Sequence, residues 1–572
     1  MMSEYLKYKH WLEQDLEDRD LAEELAAING DEEAIKDRFY RDLEFGTAGL
    51  RGVLGAGTNR MNIYTVRRAT QGLAEYLNAA FKDPSVSISY DSRIKSDVFA
   101  KEAARVLAAN DIHVYLYSEL MPTPCLSYAV RTLKCSAGIM VTASHNPAKY
   151  NGYKVYGPDG CQMTNDAADA VLERINRLDL FKDIRLVDFD AALQAGNIEY
   201  IADSVLESYL DCVQAQSIHP ELIPQAGLKV VYTPLNGTGN KPVRKILDRI
   251  GVKDVHVVKE QENPEGEFST CPFPNPEIKE ALALGLRDCA AVKPDLLLAT
   301  DPDADRVGIA VPDENGDYVL ITGNEVGALL LEYICRERRA LGTMPEHPMA
   351  VKTIVSTRLA DRIAAEYGVE LVNVLTGFKY IGEQIGLLEA KNESNRYLFG
   401  FEESYGYLCG TYVRDKDAVV ASMLICEAAA FYKSKGVSML QAIRALYEKY
   451  GYYYNCIGNF GFEGAAGMEK MAEIMARTRA EAPSVIGGLK VESFADYKAS
   501  VRTDIATGKQ EEIHLPKSDV LEFGLEGGAS VIIRPSGTEP KIKVYYTTTG
   551  ATEQDAKALQ QKLADDFTTL LK

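Results

Sequence analysis

Four short segments of the chain carry side chains whose types and spacing suit phosphate chemistry, and the first surrounds Ser144. Its sequence over 142–147 is Thr-Ala-Ser-His-Asn-Pro, directly after the apolar segment 138–141. A serine at the carboxyl end of a buried strand lies where open α/β sheets bind ligands. A turn serine that bonds only to its own backbone is the alternative interpretation.

A serine hydrolase is the less favoured chemistry for this segment. In an extended chain His145 would point away from Ser144, because adjacent side chains face opposite ways. The G-x-S-x-G motif of many hydrolases is also absent from this segment. The pattern therefore favours Ser144 as a phosphoryl carrier over Ser144 as the nucleophile of a catalytic triad.

The second segment, Asp-Pro-Asp-Ala-Asp-Arg at 301–306, places carboxylates at Asp301, Asp303 and Asp305. Alternate side chains of an extended loop project to one side, which suits a hard divalent cation with oxygen ligands. An EF-hand is excluded, because Arg306 stands where that loop needs glycine. Three side chains leave an octahedral shell open, so water or phosphate oxygen must complete it. A solvated acidic loop is the alternative, disfavoured by repulsion between the carboxylates.

The third segment, Arg-Pro-Ser-Gly-Thr-Glu-Pro-Lys at 534–541, combines groups that bind anions. Arg534 can contact an anion with two N–H groups, hydroxyls lie beside it, and a glycine exposes its backbone N–H. The segment is therefore a candidate oxyanion cradle, with a simple hairpin turn as the alternative.

The fourth segment is Phe-Glu-Glu-Ser at 401–404, after a candidate strand. Its carboxylates and hydroxyl suit the hydroxyls of a sugar. Taken alone, this pattern is weak evidence for a sugar-binding site, because exposed carboxylates at a protein surface are common.

The elements that must position these segments follow an alternating pattern. Short β-rich runs at 86–90 and 112–117 each precede a helical segment, and the run at 137–141 precedes a loop. Such alternation predicts βαβ units and mostly parallel or mixed sheets covered by helices. The pattern begins again near 228 and near 349, whereas the last stretch has strand-like runs followed by one helix.

We therefore predict an α/β fold with three similar α/β domains with mixed sheets plus a smaller C-terminal α+β domain, arranged around a central cleft. Each domain contributes one of the four segments. The predicted domains are 1–205 with the serine loop and an N-terminal helical extension, 206–322 with the metal-binding loop, 323–450 with the sugar-binding loop, and 451–572 with the phosphate-binding loop.

Composition limits the classes of partner. The 572 residues carry a net charge of −20, which argues against nucleic acid or an anionic membrane as the main partner. The ten cysteines include no C-x-x-C pair, so we expect reduced thiols. The apolar run at 418–432 is interrupted by Glu427 and is shorter than the roughly 20 residues of a membrane span. The N-terminal sequence lacks the order of a signal peptide, so we expect a cytoplasmic protein.

In this order along the chain, the four segments resemble the motifs of the α-D-phosphohexomutase family of phosphoglucomutases and phosphomannomutases. The resemblance begins at the Gly-Thr-Ala-Gly-Leu-Arg-Gly segment 46–52 and continues to 541. The form Gly-Phe-Glu-Glu-Ser-Tyr-Gly-Tyr at 400–407, with Arg-Asp-Lys-Asp at 414–417, is most similar to the long phosphoglucomutase branch. Departures at Ala48, Phe401 and Tyr405 affect the assignment of the sugar but leave the mechanism intact.

The resemblance implies a role for each motif. Ser144 would carry the phosphoryl group, and one Mg²⁺ would be held by Asp301, Asp303, Asp305 and an oxygen of the Ser144 phosphate. Glu402 and Ser404 would bind sugar hydroxyls. The phosphate that is not transferred would be bound by Arg534, Ser536, Gly537 and Thr538. The other implied catalytic residues are Arg51, Lys154, His145 and Lys379, and the other implied substrate-binding residues are Arg306, Thr376, Gly377, Arg414 and Lys416.

The implied activity is interconversion of glucose 1-phosphate and glucose 6-phosphate through a phosphoserine enzyme, with glucose 1,6-bisphosphate as bound intermediate and activator. Lys154, Lys379 and His145 remain alternative general bases. Phosphomannomutase and phosphopentomutase activities are alternatives on the same fold. A phosphatase with Asp303 as nucleophile, or a non-catalytic sugar-phosphate sensor, is a further alternative. We expect a small phosphosugar as the partner, no nucleic acid or membrane, and a monomer or weak homodimer.

Overall fold

A computed structural model describes residues 3–46, 49–462, 464–536 and 541–571. The chain divides into two compact units. The first unit comprises Met1–Ile321, Ile381–Tyr397 and Tyr405–Gly436, and the second comprises Thr322–Tyr380, Leu398–Ser404 and Val437–Lys572.

The first unit begins with three helices, followed by a mixed sheet with the strand order β1-β5-β4-β2-β3-β6. Strand β2 is parallel to β3 and β4, whereas β5 is antiparallel to both β4 and β1. The strands are β1 Gly49–Val53, β2 Ser85–Tyr90, β3 His113–Leu116, β4 Ala137–Val141, β5 Tyr150–Tyr156 and β6 Ile198–Tyr200. The helices are α1 Glu4–Leu12, α2 Arg19–Ala27, α3 Glu32–Phe39, α4 Ile63–Ala80, α5 Ser96–Ala109, α6 Thr123–Thr132, α7 Asn165–Ile175 and α8 Phe189–Gln194.

A second mixed sheet of the first unit has the order β11-β10-β9-β7-β8. Strand β7 is parallel to β8 and β9, and β10 is antiparallel to β9 and β11. The strands are β7 Lys229–Thr233, β8 Asp254–Val257, β9 Leu296–Thr300, β10 Val307–Pro312 and β11 Tyr318–Ile321. The helices are α9 Asp203–Gln214, α10 Leu222–Ala226, α11 Asn240–Arg249, α12 Lys259–Glu262 and α13 Ala283–Val292.

In the second unit, β12 lies between β13, with which it runs parallel, and β14. The elements of this part of the chain are α14 Gly323–Leu341, β12 Met349–Thr353, α15 Leu359–Tyr367, β13 Glu370–Val374, α16 Lys379–Ala390, β14 Tyr397–Glu402 and α18 Met439–Tyr450. Helix α16 begins in the second unit and continues into the first. The intervening elements of the first unit are β15 Gly406–Cys409 and α17 Ala418–Ser434.

The C-terminal part of the second unit is an antiparallel sheet with the order β16-β23-β22-β21-β18-β19-β20, and α20 packs on β16 and β23. The elements are β16 Tyr452–Gly461, α19 Gly464–Ala480, β17 Val485–Ile486, β18 Leu489–Asp496, β19 Val501–Asp504, β20 Gln510–Glu512, β21 Leu521–Leu525, β22 Ser530–Pro535, β23 Lys541–Gly550 and α20 Glu553–Leu570. The predicted fold class is confirmed: mixed sheets covered by helices precede an α+β sheet.

The apolar run that begins at Ala418 forms α17, and its side chains are buried through Tyr432. Asp417 caps this helix, and the carboxylate of Glu427 accepts hydrogen bonds from the backbone N–H groups of Ile218 and His219. The run is thus a core helix. Among the described residues, no helix has both the length and the apolar character that crossing a membrane requires.

Candidate active site

Ser144 lies in a loop at the carboxyl end of β4, as the sequence pattern predicts. Its backbone has φ of 52°, a left-handed conformation that residues other than glycine seldom adopt. The side chain is 3% exposed, and its hydroxyl donates a hydrogen bond to Asp301 Oδ2 at 2.9 Å. The fold therefore joins the serine segment to the first aspartate of the acidic segment.

The expectation that His145 points away from Ser144 is wrong. His145 Nδ1 lies 3.3 Å from Ser144 Oγ, because the left-handed turn at Ser144 replaces the extended backbone that the argument assumed. Burial, together with the nearby guanidinium groups of Arg306 and Arg51, holds the pKa of His145 well below its ordinary value. The imidazole is therefore neutral near pH 7.

The three aspartates form a compact, buried cluster after β9. One carboxylate oxygen from each of Asp301, Asp303 and Asp305 lies within 4.8 Å of the others. Asp303 Oδ1 and Asp305 Oδ1 are buried, and neither has a hydrogen-bond partner within the described part of the chain. Buried acceptors are rarely left without a partner. A cluster of oxygen ligands with two such atoms fits a hard divalent cation.

The pKa values of Asp301 and Asp303 are shifted in opposite directions. Burial and the neighbouring carboxylates of Asp303 and Asp305 raise the pKa of Asp301 well above its ordinary value. The ammonium of Lys154 acts against burial and holds the pKa of Asp303 below its ordinary value. Without a cation, Asp301 is therefore the carboxylate that keeps a proton.

Two lysines approach the cluster from different elements. Lys154, on β5, has its Nζ 3.0 Å from Asp303 Oδ2 and 3.8 Å from Asp305 Oδ2. Lys416 has its Nζ 3.1 Å from Asp305 Oδ2. Arg51, on β1, pairs with Gly152 on β5, two residues before Lys154. The structure therefore brings Lys154 and Lys416 to the aspartates, and it places Arg51 on the strand that neighbours the strand of Lys154.

Arg306 and Arg414 are each paired with a carboxylate. Arg306 Nη1 donates to Glu277 Oε1 at 2.6 Å. The Arg414 side chain is fully buried, and its Nη2 donates to Glu389 Oε2 at 2.6 Å. Nothing in the sequence indicated this burial, and the role of Arg414 in substrate binding stays a prediction.

Sequence patterns did not identify Thr123, the first residue of α6, as part of this site. Its backbone N–H donates to the Asp303 carbonyl at 2.9 Å, and its hydroxyl donates to Asp303 Oδ2 at 2.9 Å. These bonds fix the loop and aim the carboxylate. Prolines at 122 and 124 mark the start of a helix, so the helix end was visible in the sequence. The contact of this helix start with a loop 180 residues away could not be predicted from the sequence.

In the second unit, the sugar and phosphate segments meet around Tyr545. Arg534 lies on β22 and forms a hydrogen bond with Tyr545, and Glu402 and Glu403 are close enough to influence its ionisation. Burial and the charge of Glu403 raise the pKa of Tyr545, and Arg534 opposes this. Glu403 also accepts a hydrogen bond from the Thr353 hydroxyl at 3.1 Å. Tyr545 is a further residue that the sequence patterns did not identify.

The remaining predicted positions of this unit that the structure describes lie after three strands and at the start of one helix. Thr376 and Gly377 follow β13, and Gly377 has φ of 119°, which favours glycine. Lys379 begins α16, and its Nζ lies 5.1 Å from the centre of the Tyr380 ring. The Ser536 N–H donates to the Lys541 carbonyl at 2.8 Å. Ser404 is half-buried after β14, whereas Gly537 and Thr538 lie outside the described residues.

Comparison with known proteins agrees with this arrangement of motifs. Models of the phosphoglucomutase/phosphomannomutase family match α/β/α domain I at 42–181, domain II at 207–316, domain III at 322–450 and the C-terminal domain at 488–566.

Relatives match over most of their length. A phosphoglucomutase from Staphylococcus haemolyticus (strain JCSC1435) is 37% identical over 509 residues, which is 89% of this chain and 91% of the relative. One from Staphylococcus aureus (strain USA300) is 38% identical over 515 residues, 90% of each chain. In fold, the chain resembles the open form of the exocytosis-sensitive phosphoprotein parafusin (phosphoglucomutase) from Paramecium. That structure has a TM-score of 0.69 at 18% identity, over 93% of this chain and 95% of the other. The chain therefore belongs to the phosphoglucomutase/phosphomannomutase family.

Proposed function

We propose that the protein is a phosphoglucomutase that interconverts glucose 1-phosphate and glucose 6-phosphate through a phosphorylated Ser144. The observation that carries the proposal is the contact of Ser144 Oγ with Asp301, 2.9 Å away, within the buried cluster of three aspartates. A hydroxyl held at a cluster that fits a divalent cation is suited to accept and return a phosphoryl group.

The proposed reaction has two transfers. In the first, the bond between phosphorus and Ser144 Oγ breaks, and a bond forms between phosphorus and the free hydroxyl oxygen of the glucose monophosphate. The sugar hydroxyl gives its proton to a base, and Ser144 Oγ takes up a proton as it leaves. The product, glucose 1,6-bisphosphate, turns around in the site. In the second, its other phosphoryl group moves to Ser144 Oγ, which gives up its proton. The sugar oxygen that is released takes up a proton, and the isomeric monophosphate remains.

Asp301, Asp303 and Asp305 would hold Mg²⁺, which when bound neutralises charge on phosphoryl oxygens. Lys154 and Lys416 add fixed positive charge at the same carboxylates. Of the candidate bases in this unit, His145 has a lowered pKa and lies near Ser144 Oγ, whereas Lys154 forms an ion pair with Asp303. We assign proton transfer at Ser144 to His145 and electrostatic stabilisation to Lys154.

In the second unit, Glu402 and Ser404 would bind sugar hydroxyls. Arg534 and Ser536, with Gly537 and Thr538, would bind the phosphate that is not transferred. The approach of Arg534 and Glu403 to the same tyrosine supports this division of roles. Arg51, Arg306, Thr376, Gly377, Lys379 and Lys416 complete the proposed set.

The four proposed domains, 1–205, 206–322, 323–450 and 451–572, each carry one of these motifs. We place the enzyme in the cytoplasm, since all ten cysteines are among the described residues and are free thiols. A monomer or weak homodimer remains our proposal for its assembly.

Replacing Arg534 with alanine should raise KM for glucose 1-phosphate by about 10- to 100-fold, the range for loss of a charge-assisted contact. The effect on kcat should be smaller, because the contact exists before and during transfer. Steady-state kinetics measure both values. Arg477→Ala is the matched control, since this exposed arginine of α19 contacts the Leu570 carbonyl. An unchanged KM in Arg534→Ala would reject the phosphate-binding role.

The preferred sugar follows from the proposal and is testable with three substrates. With saturating glucose 1,6-bisphosphate, kcat/KM should be highest for glucose 1-phosphate and at least about 10-fold lower for mannose 1-phosphate, whose hydroxyl at carbon 2 is inverted. Ribose 1-phosphate should be poorer still. A higher value for either competitor would replace this assignment with phosphomannomutase or phosphopentomutase activity.

A further inference from the structure

A fully buried ion pair, Asp91 with Arg93, lies beneath the Ser144 loop and has no part in the mechanism described above. The two residues follow β2, the strand beside β4 in the sheet. Arg93 Nε lies 3.2 Å from Asp91 Oδ2, and neither side chain is exposed. A buried guanidinium is costly unless its donors are satisfied, so the partners of Arg93 show what it does.

Arg93 binds four backbone carbonyls of one loop. Its Nη1 donates to the carbonyls of Pro147 and Tyr150, at 3.0 and 3.1 Å. Its Nη2 donates to the carbonyls of Ser144 and Asn146. The planar fork of one guanidinium thus holds the whole turn that carries the nucleophile.

Asp91 holds the same turn through the Thr142 side chain. The Thr142 hydroxyl donates to Asp91 Oδ2 at 2.6 Å and accepts the Ser144 backbone N–H at 2.8 Å. Because its hydrogen is directed to Asp91, the hydroxyl presents a lone pair to Ser144. Asp91 Oδ1 is held in turn by the Ser96 hydroxyl at 2.8 Å.

Both backbone polar groups of Ser144 are therefore set by this one ion pair: the N–H through Thr142, and the carbonyl through Arg93. Ser144 needs such support, because its left-handed backbone is rarely stable in a serine without it. The same backbone orientation directs its Oγ toward Asp301.

We propose that Asp91 and Arg93, acting through Thr142, are positioning residues that align the Ser144 phosphoryl group for transfer to the sugar in preference to water. The inference rests on the proposed function of Ser144. Transfer to a bound sugar requires one orientation of the phosphoryl group, whereas water is mobile and can attack a displaced phosphoserine from several directions. Loss of alignment should therefore slow transfer more than hydrolysis.

The test compares Arg93→Lys with Arg67→Lys. Lysine keeps the charge opposite Asp91, but a single ammonium cannot reach all four carbonyls. Arg67 is a matched control: its side chain is 4% exposed and it is paired with Glu102 and Glu17. Each protein is phosphorylated with ³²P-labelled glucose 1,6-bisphosphate. Transfer to glucose 1-phosphate and release of inorganic phosphate are then measured separately.

In Arg93→Lys, kcat and the transfer rate should fall about 100-fold, as expected for a displacement near 1 Å. KM should change less than about threefold, and the ratio of hydrolysis to transfer should rise by a similar factor of about 100. Arg67→Lys should keep the wild-type ratio even if it is destabilised. An unchanged ratio in Arg93→Lys, with activity following the folded fraction as in Arg67→Lys, would overturn the proposal.

A second pair of variants covers the case in which Arg93→Lys fails to fold. Thr142→Val keeps the shape but removes the hydroxyl, and it should raise the hydrolysis-to-transfer ratio at least about 10-fold. Thr142→Ser retains the hydroxyl and should keep most of the wild-type transfer rate. Equal ratios in both would contradict the inference. A wild-type protein that acquires no phosphoserine would instead refute the proposed function itself, so the two failures are distinguishable.

Discussion

Replacing Ser144 with alanine should lower kcat by roughly 10⁵- to 10⁶-fold, the scale of loss when a covalent nucleophile is removed. The remaining groups can still bind substrate, but two sugar oxygens of one molecule cannot exchange a phosphoryl group directly. Stability should change little, because the hydroxyl contributes one hydrogen bond to Asp301 and a contact with His145. The measurement is turnover of glucose 1-phosphate, with urea unfolding as the check on folding.

Ser136→Ala is the matched control for this variant. Ser136 precedes β4, at the opposite end of the strand that leads to Ser144, and its hydroxyl accepts a hydrogen bond from the Ser85 N–H. It should retain near wild-type turnover. Retained turnover in Ser144→Ala would refute the carrier role.

The chemistry of the phosphorylated protein separates the mutase from the phosphatase alternative. A phosphoserine at Ser144 withstands acid, whereas an acyl phosphate on Asp303 would be cleaved by hydroxylamine. We expect label from glucose 1,6-bisphosphate to survive hydroxylamine and to be absent from Ser144→Ala. Label lost to hydroxylamine would support Asp303 as nucleophile instead.

Removing divalent cations with a chelator should lower activity by at least about 10³-fold, and Mg²⁺ should restore it. Several kcal/mol of charge neutralisation is the usual contribution of a metal ion to phosphoryl transfer. Asp301→Asn should cause a similar loss that added Mg²⁺ does not reverse. Asp313→Asn, in the turn between β10 and β11, is the control and should leave turnover unchanged. Full activity in the presence of chelator would reject the metal role.

The raised pKa of Asp301 predicts that the stability of the protein depends on pH. This pKa is raised by burial and by Asp303 and Asp305, so the folded state keeps a proton that the unfolded state releases above about pH 4. In chelator, the free energy of unfolding of the wild type relative to Asp301→Asn should therefore fall as pH rises above that value. Mg²⁺ should reverse the fall, because the cation binds the folded state. A difference independent of pH would contradict the raised pKa of Asp301.

Much of the fold was predictable because its pattern is local. The runs predicted at 86–90 and 137–141 form the strands β2 and β4. The orientation of His145 was mispredicted, since the backbone of Ser144 departs from the extended conformation that a strand end suggests. The burial of Arg414 was also missed, because an Arg-Asp-Lys-Asp run is charged and gives no indication that one of its members lies in the interior.

By itself, the sequence determined which chemistry is available: a serine, three alternate aspartates and an arginine-led loop, in an order that specifies the family. The tertiary structure decided which partner each group has. The order of strands places β2 beside β4, and so brings Asp91 to Thr142 and Arg93 to Ser144, each across 51 positions of the chain. Packing within the first unit brings Thr123, at the start of α6, to Asp303, in the loop after β9, across 180 positions. Residue types and spacing are local properties, whereas strand order and backbone conformation depend on burial across the whole unit, so only the folded chain shows how the nucleophile is held.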